Sequence, residues 1–298
     1  MNAHHHLVDL LQARALASPG RRAYTFLADG ETESAALTWA ELDGRARALG
    51  AALVGQGARG ERVLLLFPPG LDFVAAFFGC LYAGAVAVPC HPPRPHRDQP
   101  RLRAIACDAR PGFVLTTVEL AGRREALGAR VPELAGVVWI AVETVDPRGA
   151  ERWAPPSLAA ETAAFLQYTS GSTATPKGVM VTHANLLHNE GMIGAAFAQD
   201  EDSVVVGWLP LYHDMGLIGN VLQPLHAGGR CVLMAPVAFL QKPLRWLAAI
   251  SRYRATTSGG PNFAYDLCVR RIAAEDRAAL DLASWRVAFN GAEPVRAA

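Results

Sequence analysis

The 298 residues are enough for one large domain or two of ordinary size, and 51% hydrophobic against 18% charged residues excludes a disordered chain. Lys plus Arg (28) against Asp plus Glu (27) leaves a net charge of +1, which excludes a bulk electrostatic attraction to nucleic acid or an anionic membrane. Five scattered cysteines (Cys80, Cys90, Cys107, Cys231, Cys268), never in a CxxC pair, argue against a zinc site or disulfide framework and fit a reducing cytoplasm.

From the N-terminus, Met1 to His6 lacks the basic and apolar regions of a signal peptide, and its three histidines read as an exposed terminus. Helical periodicity follows at Leu7–Ala17 and Trp39–Val54. Gly55-Gln56-Gly57-Ala58-Arg59-Gly60 spells a dinucleotide fingerprint, but that motif needs a strand before it and a helix after it. Here a helix precedes and the strand Arg62–Phe67 follows, so the glycines read as a helix stop and a turn. Phe73 to Cys90 is eighteen residues without a charge, close to a membrane span in length. Gly84 and Pro89 punctuate it, and the expectation is a buried helix, Leu71–Ala83, then a strand, Ala85–Val88.

His91 to Pro100 is proline-rich and basic, and reads as a solvated connector. Strands are expected at Gly112–Thr116 and Val137–Val142, and Asp146–Pro156 reads as a linker. The division expected is therefore 1–150 as one α/β subdomain and 151–298 as a second. In the latter, strands fall at Ala163–Tyr168, Ser203–Leu209, Arg230–Met234 and Arg286–Phe289. Its helices fall at Ala184–Phe197, Pro243–Ile250 and Phe263–Ile272. Short strands separated by helices imply βα units and largely parallel sheets. The chain stops at Pro294-Val295-Arg296-Ala297-Ala298 directly after a strand-like run, so the second subdomain is expected to be incomplete.

The chemically informative segment runs from Phe165 to Val181. Thr169, Ser170, Gly171, Ser172, Thr173, Thr175 and Gly178 surround Lys177 between two apolar strands. Small residues let backbone N–H groups approach an anion, hydroxyls donate to phosphate oxygens, and a lysine adds a point charge. A polyphosphate cradle follows. It is not a Walker A loop, because Pro176 precedes and Gly178 follows the lysine, and Val179-Met180-Val181 alternates like a strand instead of opening a helix.

Tyr168 through Gly178 closely resembles the phosphate-loop signature of the adenylate-forming enzymes. Trp208 to Leu217 resembles that family's segment with a histidine at the acyl-pocket entrance, and Asn290-Gly291-Ala292-Glu293-Pro294 resembles its adenine-contacting loop. The forms Leu186-Leu187-His188-Asn189-Glu190 and Tyr212-His213-Asp214-Met215-Gly216 are most similar to fatty acyl-AMP ligases. The resemblance implies the N-terminal domain of such an enzyme: two βα-layered subdomains with largely parallel sheets, truncated before the C-terminal domain.

It also implies a reaction, in which ATP activates a fatty acid carboxylate to acyl-adenylate, releasing pyrophosphate, for transfer to an acyl carrier protein. ATP and Mg²⁺ are the cofactors implied. Thr169, Ser170, Gly171, Ser172, Thr173 and Lys177 would hold phosphates, with Asn290, Gly291, Ala292 and Glu293 at the nucleotide base. Lys177 and His213 would be the catalytic pair. Tyr212, His213, Asp214, Met215, Gly259, Gly260 and Pro261 would line the acyl pocket.

Thr169 is a weak Mg²⁺ ligand in this reading, and the main one is expected beyond Ala298, together with a ribose aspartate and a C-terminal lysine. The chain alone is therefore expected to be inactive and prone to self-association. His213 beside Asp214 could also bind metal or act as a base, and Asp214 could hold a substrate amine. Acyl-CoA synthetase, amino-acid adenylation domain and a non-catalytic nucleotide- or partner-binding remnant stay open as alternatives.

Overall fold

The computed structural model describes residues 4–93, 98–169 and 176–295. Its strands, in chain order, are β1 (Arg22–Leu27), β2 (Glu33–Thr38), β3 (Arg62–Leu66), β4 (Val86–Cys90), β5 (Phe113–Thr116), β6 (Val138–Ala141), β7 (Ala163–Thr169), β8 (Lys177–Thr182), β9 (Val204–Gly207), β10 (Arg230–Met234), β11 (Thr257–Gly260) and β12 (Val287–Asn290). They form two six-stranded sheets within two units.

The first unit comprises Met1–Pro19, Ala40–Pro68 and Asp72–His188. Its sheet runs β6-β5-β3-β4-β7-β8, parallel except for the β7–β8 hairpin. Val63 to Leu66 of β3 are fully buried, as expected of strands covered on both faces. The uncharged run from Phe73 resolves as the helix Leu71–Ala83 and then β4, with Gly84 at φ +68 stopping the helix. No helix among the described residues is long and apolar enough to cross a membrane. The false fingerprint is a helix end, because Trp39–Gly55 is helical and β3 follows.

The second unit comprises Gly20–Trp39, Pro69–Leu71 and Asn189–Ala298, around a sheet of order β12-β11-β9-β10-β1-β2. Only β1–β2 is antiparallel there. Its core gathers Val206, Trp208, Val232, Phe239, Trp246 and Ile250. Trp208 stacks on Phe239 at 4.1 Å between ring centroids, and the Trp246 indole donates to Ser258 Oγ at 2.8 Å.

Both units are assembled from non-contiguous segments, so the expected cut at residue 150 is displaced. β7 pairs with β4 through Phe165 and Ala87, which carries residues after 150 into the first sheet. β1 pairs in register with β10, from Tyr24 opposite Cys231 to Leu27 opposite Met234, which carries an early hairpin into the second. The expected linker is also packed: Pro147–Arg152 is a 3-10 turn, and Trp153 donates its indole N–H to the Tyr82 carbonyl at 2.8 Å. A helix over Pro100–Ala109 begins inside the proline-rich segment, with Pro100 in its first turn where a missing N–H costs nothing.

Candidate functional site

In the first unit, β7 and β8 bring Thr169 and Lys177 into direct cross-strand register. Both side chains are exposed, and no ion pair to Lys177 is formed among the described residues. Ser170, Gly171, Ser172 and Thr173 lie outside the described residues. One step further from the turn, Tyr168 faces Gly178. A Cβ on Gly178 would sit 2.8 Å from Tyr168 Cζ, so glycine is what lets the ring lie across the strand behind the lysine.

Sequence reasoning missed what holds that ring. The Tyr168 hydroxyl donates to Asp108 Oδ2 at 2.5 Å, and Arg101 Nη2 donates to the Tyr168 carbonyl at 3.2 Å. Burial, followed by the hydrogen bond to the Asp108 carboxylate, raises the phenol pKa. No local pattern links Asp108 to a tyrosine sixty residues later, so neither residue could have been found from motif spacing.

In the second unit, the expected acyl-pocket and adenine segments are neighbours. The Met215 Cε atom lies 3.6 Å from where a Cβ of Gly291 would project. Gly259 and Gly260 are buried in β11. A Cβ on Gly259 would strike the Phe289 carbonyl of β12, and one on Gly260 would lie 2.7 Å from the Trp208 ring. Pro261 caps the helix Asn262–Arg271, and Asn290 Nδ2 donates to Asn262 Oδ1 at 3.3 Å. Ala292 takes φ +68, the left-handed region that an alanine rarely enters, and the Glu293 carboxylate accepts the Phe263 N–H at 2.6 Å. The adenine-loop candidate is thus anchored to a helix N-terminus by its own glutamate.

Tyr212 and His213 are exposed. His213 Nδ1 lies 2.6 Å from Asp214 Oδ1, which also accepts the Met215 N–H at 2.7 Å. The hydrogen bond from the His213 side chain is the main reason that the Asp214 carboxyl stays below its ordinary range. Among the described residues no three His, Cys, Asp or Glu side chains converge as a metal site. The described residues therefore offer no cluster of three such ligands for Mg²⁺, and what they offer an anion is the exposed Lys177 in register with the Thr169 hydroxyl.

Thr169 opposite Lys177 thus stands on one largely parallel sheet, and the buried Gly259 and Gly260 stand on the other. Residues 11–298 match the model of the AMP-binding enzyme family, and the chain belongs to that family. It is 48% identical over 294 residues to a medium-chain-fatty-acid–acyl-carrier-protein ligase of Moorena producens, covering 97% of this chain and 50% of that protein. A long-chain-fatty-acid–AMP ligase of Mycobacterium tuberculosis is 38% identical over 289 residues, covering 94% of this chain and 50% of the other. Among solved structures, a fatty acyl-adenylate ligase from L. pneumophila in complex with acyl adenylate and pyrophosphate superposes with a TM-score of 0.91 at 45% identity, over 98% of this chain and 50% of that one. The chain spans about half the length of these curated relatives.

Proposed function

We propose that this chain supplies the phosphate-, adenine- and acyl-binding residues of a fatty acyl-AMP ligase. The observation that carries the reading is the Thr169–Lys177 pair, which presents a cation and a hydroxyl at the mouth of a Ser/Thr/Gly loop. In the reaction, a fatty acid carboxylate oxygen attacks the α-phosphorus of ATP. The bond from that phosphorus to the bridging oxygen breaks, and pyrophosphate leaves with the electron pair. Charge grows on the leaving group, so Lys177 and the hydroxyls of Thr169, Ser170, Ser172 and Thr173 stabilise the transition state more than the bound substrate. Gly291 and Ala292 pack against adenine on a loop that Asn290 and Glu293 pin down. Mg²⁺, when bound, screens the phosphate charge, and Thr169 is the residue here that would hold it.

Tyr212, His213, Asp214, Met215, Gly259, Gly260 and Pro261 bound the acid, with His213 ordering the pocket entrance. A fatty acid is favoured over an amino acid by the 48% identity to a medium-chain-fatty-acid–acyl-carrier-protein ligase, while Asp214 Oδ1 is held by His213 and the Met215 N–H. The acceptor is an acyl carrier protein thiol, and the compartment is the cytoplasm, consistent with five free cysteines.

The decisive measurement is acid-dependent ATP–pyrophosphate exchange by the protein as its gene encodes it. Dodecanoate should support exchange and amino acids should not. Lengthening the acid should tighten binding by about 0.8 kcal/mol per buried CH₂ until the pocket is full. Exchange with an amino acid alone would overturn the substrate class, and acyl transfer to CoA in preference to a carrier protein would overturn the acceptor.

A further inference from the structure

The helix Pro100–Ala109 is fixed on the first sheet by Leu102, Ile105, Ala106 and Ala109, all buried against Leu64, Leu66, Val88 and Val114. Arg101 and Asp108 stand seven residues apart, two turns of helix, and so project from one face. That face meets Tyr168 at two points. Arg101 binds its carbonyl at 3.2 Å, and Asp108 binds its hydroxyl at 2.5 Å. The ring between these points lies against Gly178, whose missing Cβ leaves the space the ring fills.

Tyr168 and Gly178 are cross-strand partners, and the next pair toward the turn is Thr169 with Lys177. Side chains alternate along a strand, so the gripped ring sits on one face while the Thr169 and Lys177 side chains leave from the other. Anything that tilts the ring moves the backbone from which the lysine projects. An Asp on a helix outside the hairpin therefore bears on the position of a charge it does not touch.

We propose that Asp108, acting through Tyr168, is a positioning residue for Lys177, with Arg101 as the second point of the grip. The inference rests on the phosphate-binding reading of the hairpin and adds to it a support from outside the loop. Placement matters because an oriented charge loses much of its effect when displaced by about 1 Å. The hydrogen bond is a short one, at 2.5 Å between the phenol and carboxyl oxygens.

The test uses Asp108→Ala, Asp108→Asn, Tyr168→Phe and the Asp108→Ala/Tyr168→Phe double variant. Each, made in the protein as its gene encodes it, is titrated with ATP by calorimetry, which needs no turnover, and assayed in pyrophosphate exchange. Misplacing an oriented group by about 1 Å can cost up to about 10²-fold, so Asp108→Ala and Tyr168→Phe should each weaken ATP binding by about tenfold. The double variant should be no worse than either single one, and the KM for the acid should stay within about twofold. Asp108→Asn should recover most of the loss, because its amide oxygen still accepts the phenol hydrogen. Unchanged ATP binding in Asp108→Ala, or losses that multiply in the double variant, would overturn the proposal. So would an equal loss for acid and ATP accompanied by a lower melting temperature. A wild-type protein that binds ATP without exchanging it in the presence of fatty acids would refute the substrate reading instead, while the binding ratios would still decide the role of Asp108.

Discussion

Backbone pairing sets where the charge of Lys177 stands, through its register with Thr169, and no acidic side chain among the described residues neutralises it. A cation left unpaired at a hairpin end keeps its full field for an incoming anion, and a preorganised donor of this kind typically contributes two to three orders of magnitude to a rate. In the protein as its gene encodes it, Lys177→Ala should therefore lower acid-dependent pyrophosphate exchange by about 10²-fold or more, with little change in melting temperature because the side chain is exposed. Exchange at the wild-type rate would remove Lys177 from the reaction. The lysine stands out in the sequence as a lone cation amid hydroxyls and glycines, and what the structure adds is its register opposite Thr169. Asp108 and Arg101 were not legible, since their meaning arises only when the helix at Pro100–Ala109 is laid beside β7.

At the scale of elements, three glycines in regular structure should respond to alanine with different signs. Gly259→Ala drives a Cβ into the Phe289 carbonyl, which is main chain and held in the β11–β12 ladder. It should cost more than about 2 kcal/mol. Gly178→Ala meets the end of the Tyr168 ring at 2.8 Å, and that ring is held by its hydroxyl on Asp108 while Arg101 holds the Tyr168 carbonyl, so about 1–3 kcal/mol is expected. Gly44 lies inside the helix Trp39–Gly55 with nothing within 4 Å of its would-be Cβ. There alanine should stabilise by about 0.5–1 kcal/mol, because it removes backbone freedom from the unfolded chain. Urea midpoints for the three variants check the order, and a stabilised Gly259→Ala would contradict the packing at β11.

The elements that escaped the sequence share a physical reason. β1 is buried along five of its six residues instead of alternating, and its parallel partner β10 lies some two hundred residues away in the chain. Its period therefore carried no signal, and neither did that of the mostly exposed β2. The helical run from Asp214 to Ala227 contains Gly216, Gly219 and Pro224 and passes through a π turn at Ile218–Leu222, features that read locally as loop. By contrast Leu7–Ala17, Leu71–Ala83 and the strands β3, β5 and β10 were readable because apolar spacing and burial coincide in them. The same contrast explains the displaced domain boundary: polarity in Asp146–Pro156 marks a surface turn, but only strand pairing decides to which sheet the next strand belongs.

For the molecule as a whole, two buried titratable groups set opposite limits on stability with pH. Glu190 is fully buried, and desolvation pushes its carboxyl up to about 9 from an ordinary 4.5. With its amide nitrogen turned toward Glu190, Gln223 donates to the Glu190 carbonyl at 3.0 Å and also to Oε2, while Oε1 has no partner. Between pH 4.5 and 9 the folded state holds a proton that the unfolded state has released, so stability falls as pH rises. His183 has the reverse sign. Burial first, and His6 next, lowers it to about 4 from 6.5, and its Nδ1 accepts the Leu7 N–H at 3.3 Å, which fixes the ring as neutral at that atom. Between pH 6.5 and 4 the unfolded state takes up the proton instead, so stability falls as pH drops. The two slopes oppose each other from about pH 4.5 to 6.5, and above that only the Glu190 slope remains. A plateau in melting temperature near pH 5 to 6 should therefore give way to a decline toward pH 9, amounting to a few kcal/mol of stability. Glu190→Gln keeps the shape and the acceptor for Gln223 but cannot ionise. It should flatten the alkaline limb, raise the melting temperature most at pH 8.5, and leave the acid limb unchanged. Wild type and Glu190→Gln profiles that run parallel from pH 6 to 9 would mean that Glu190 is already charged in the folded state, and that its burial is relieved by a partner other than a proton.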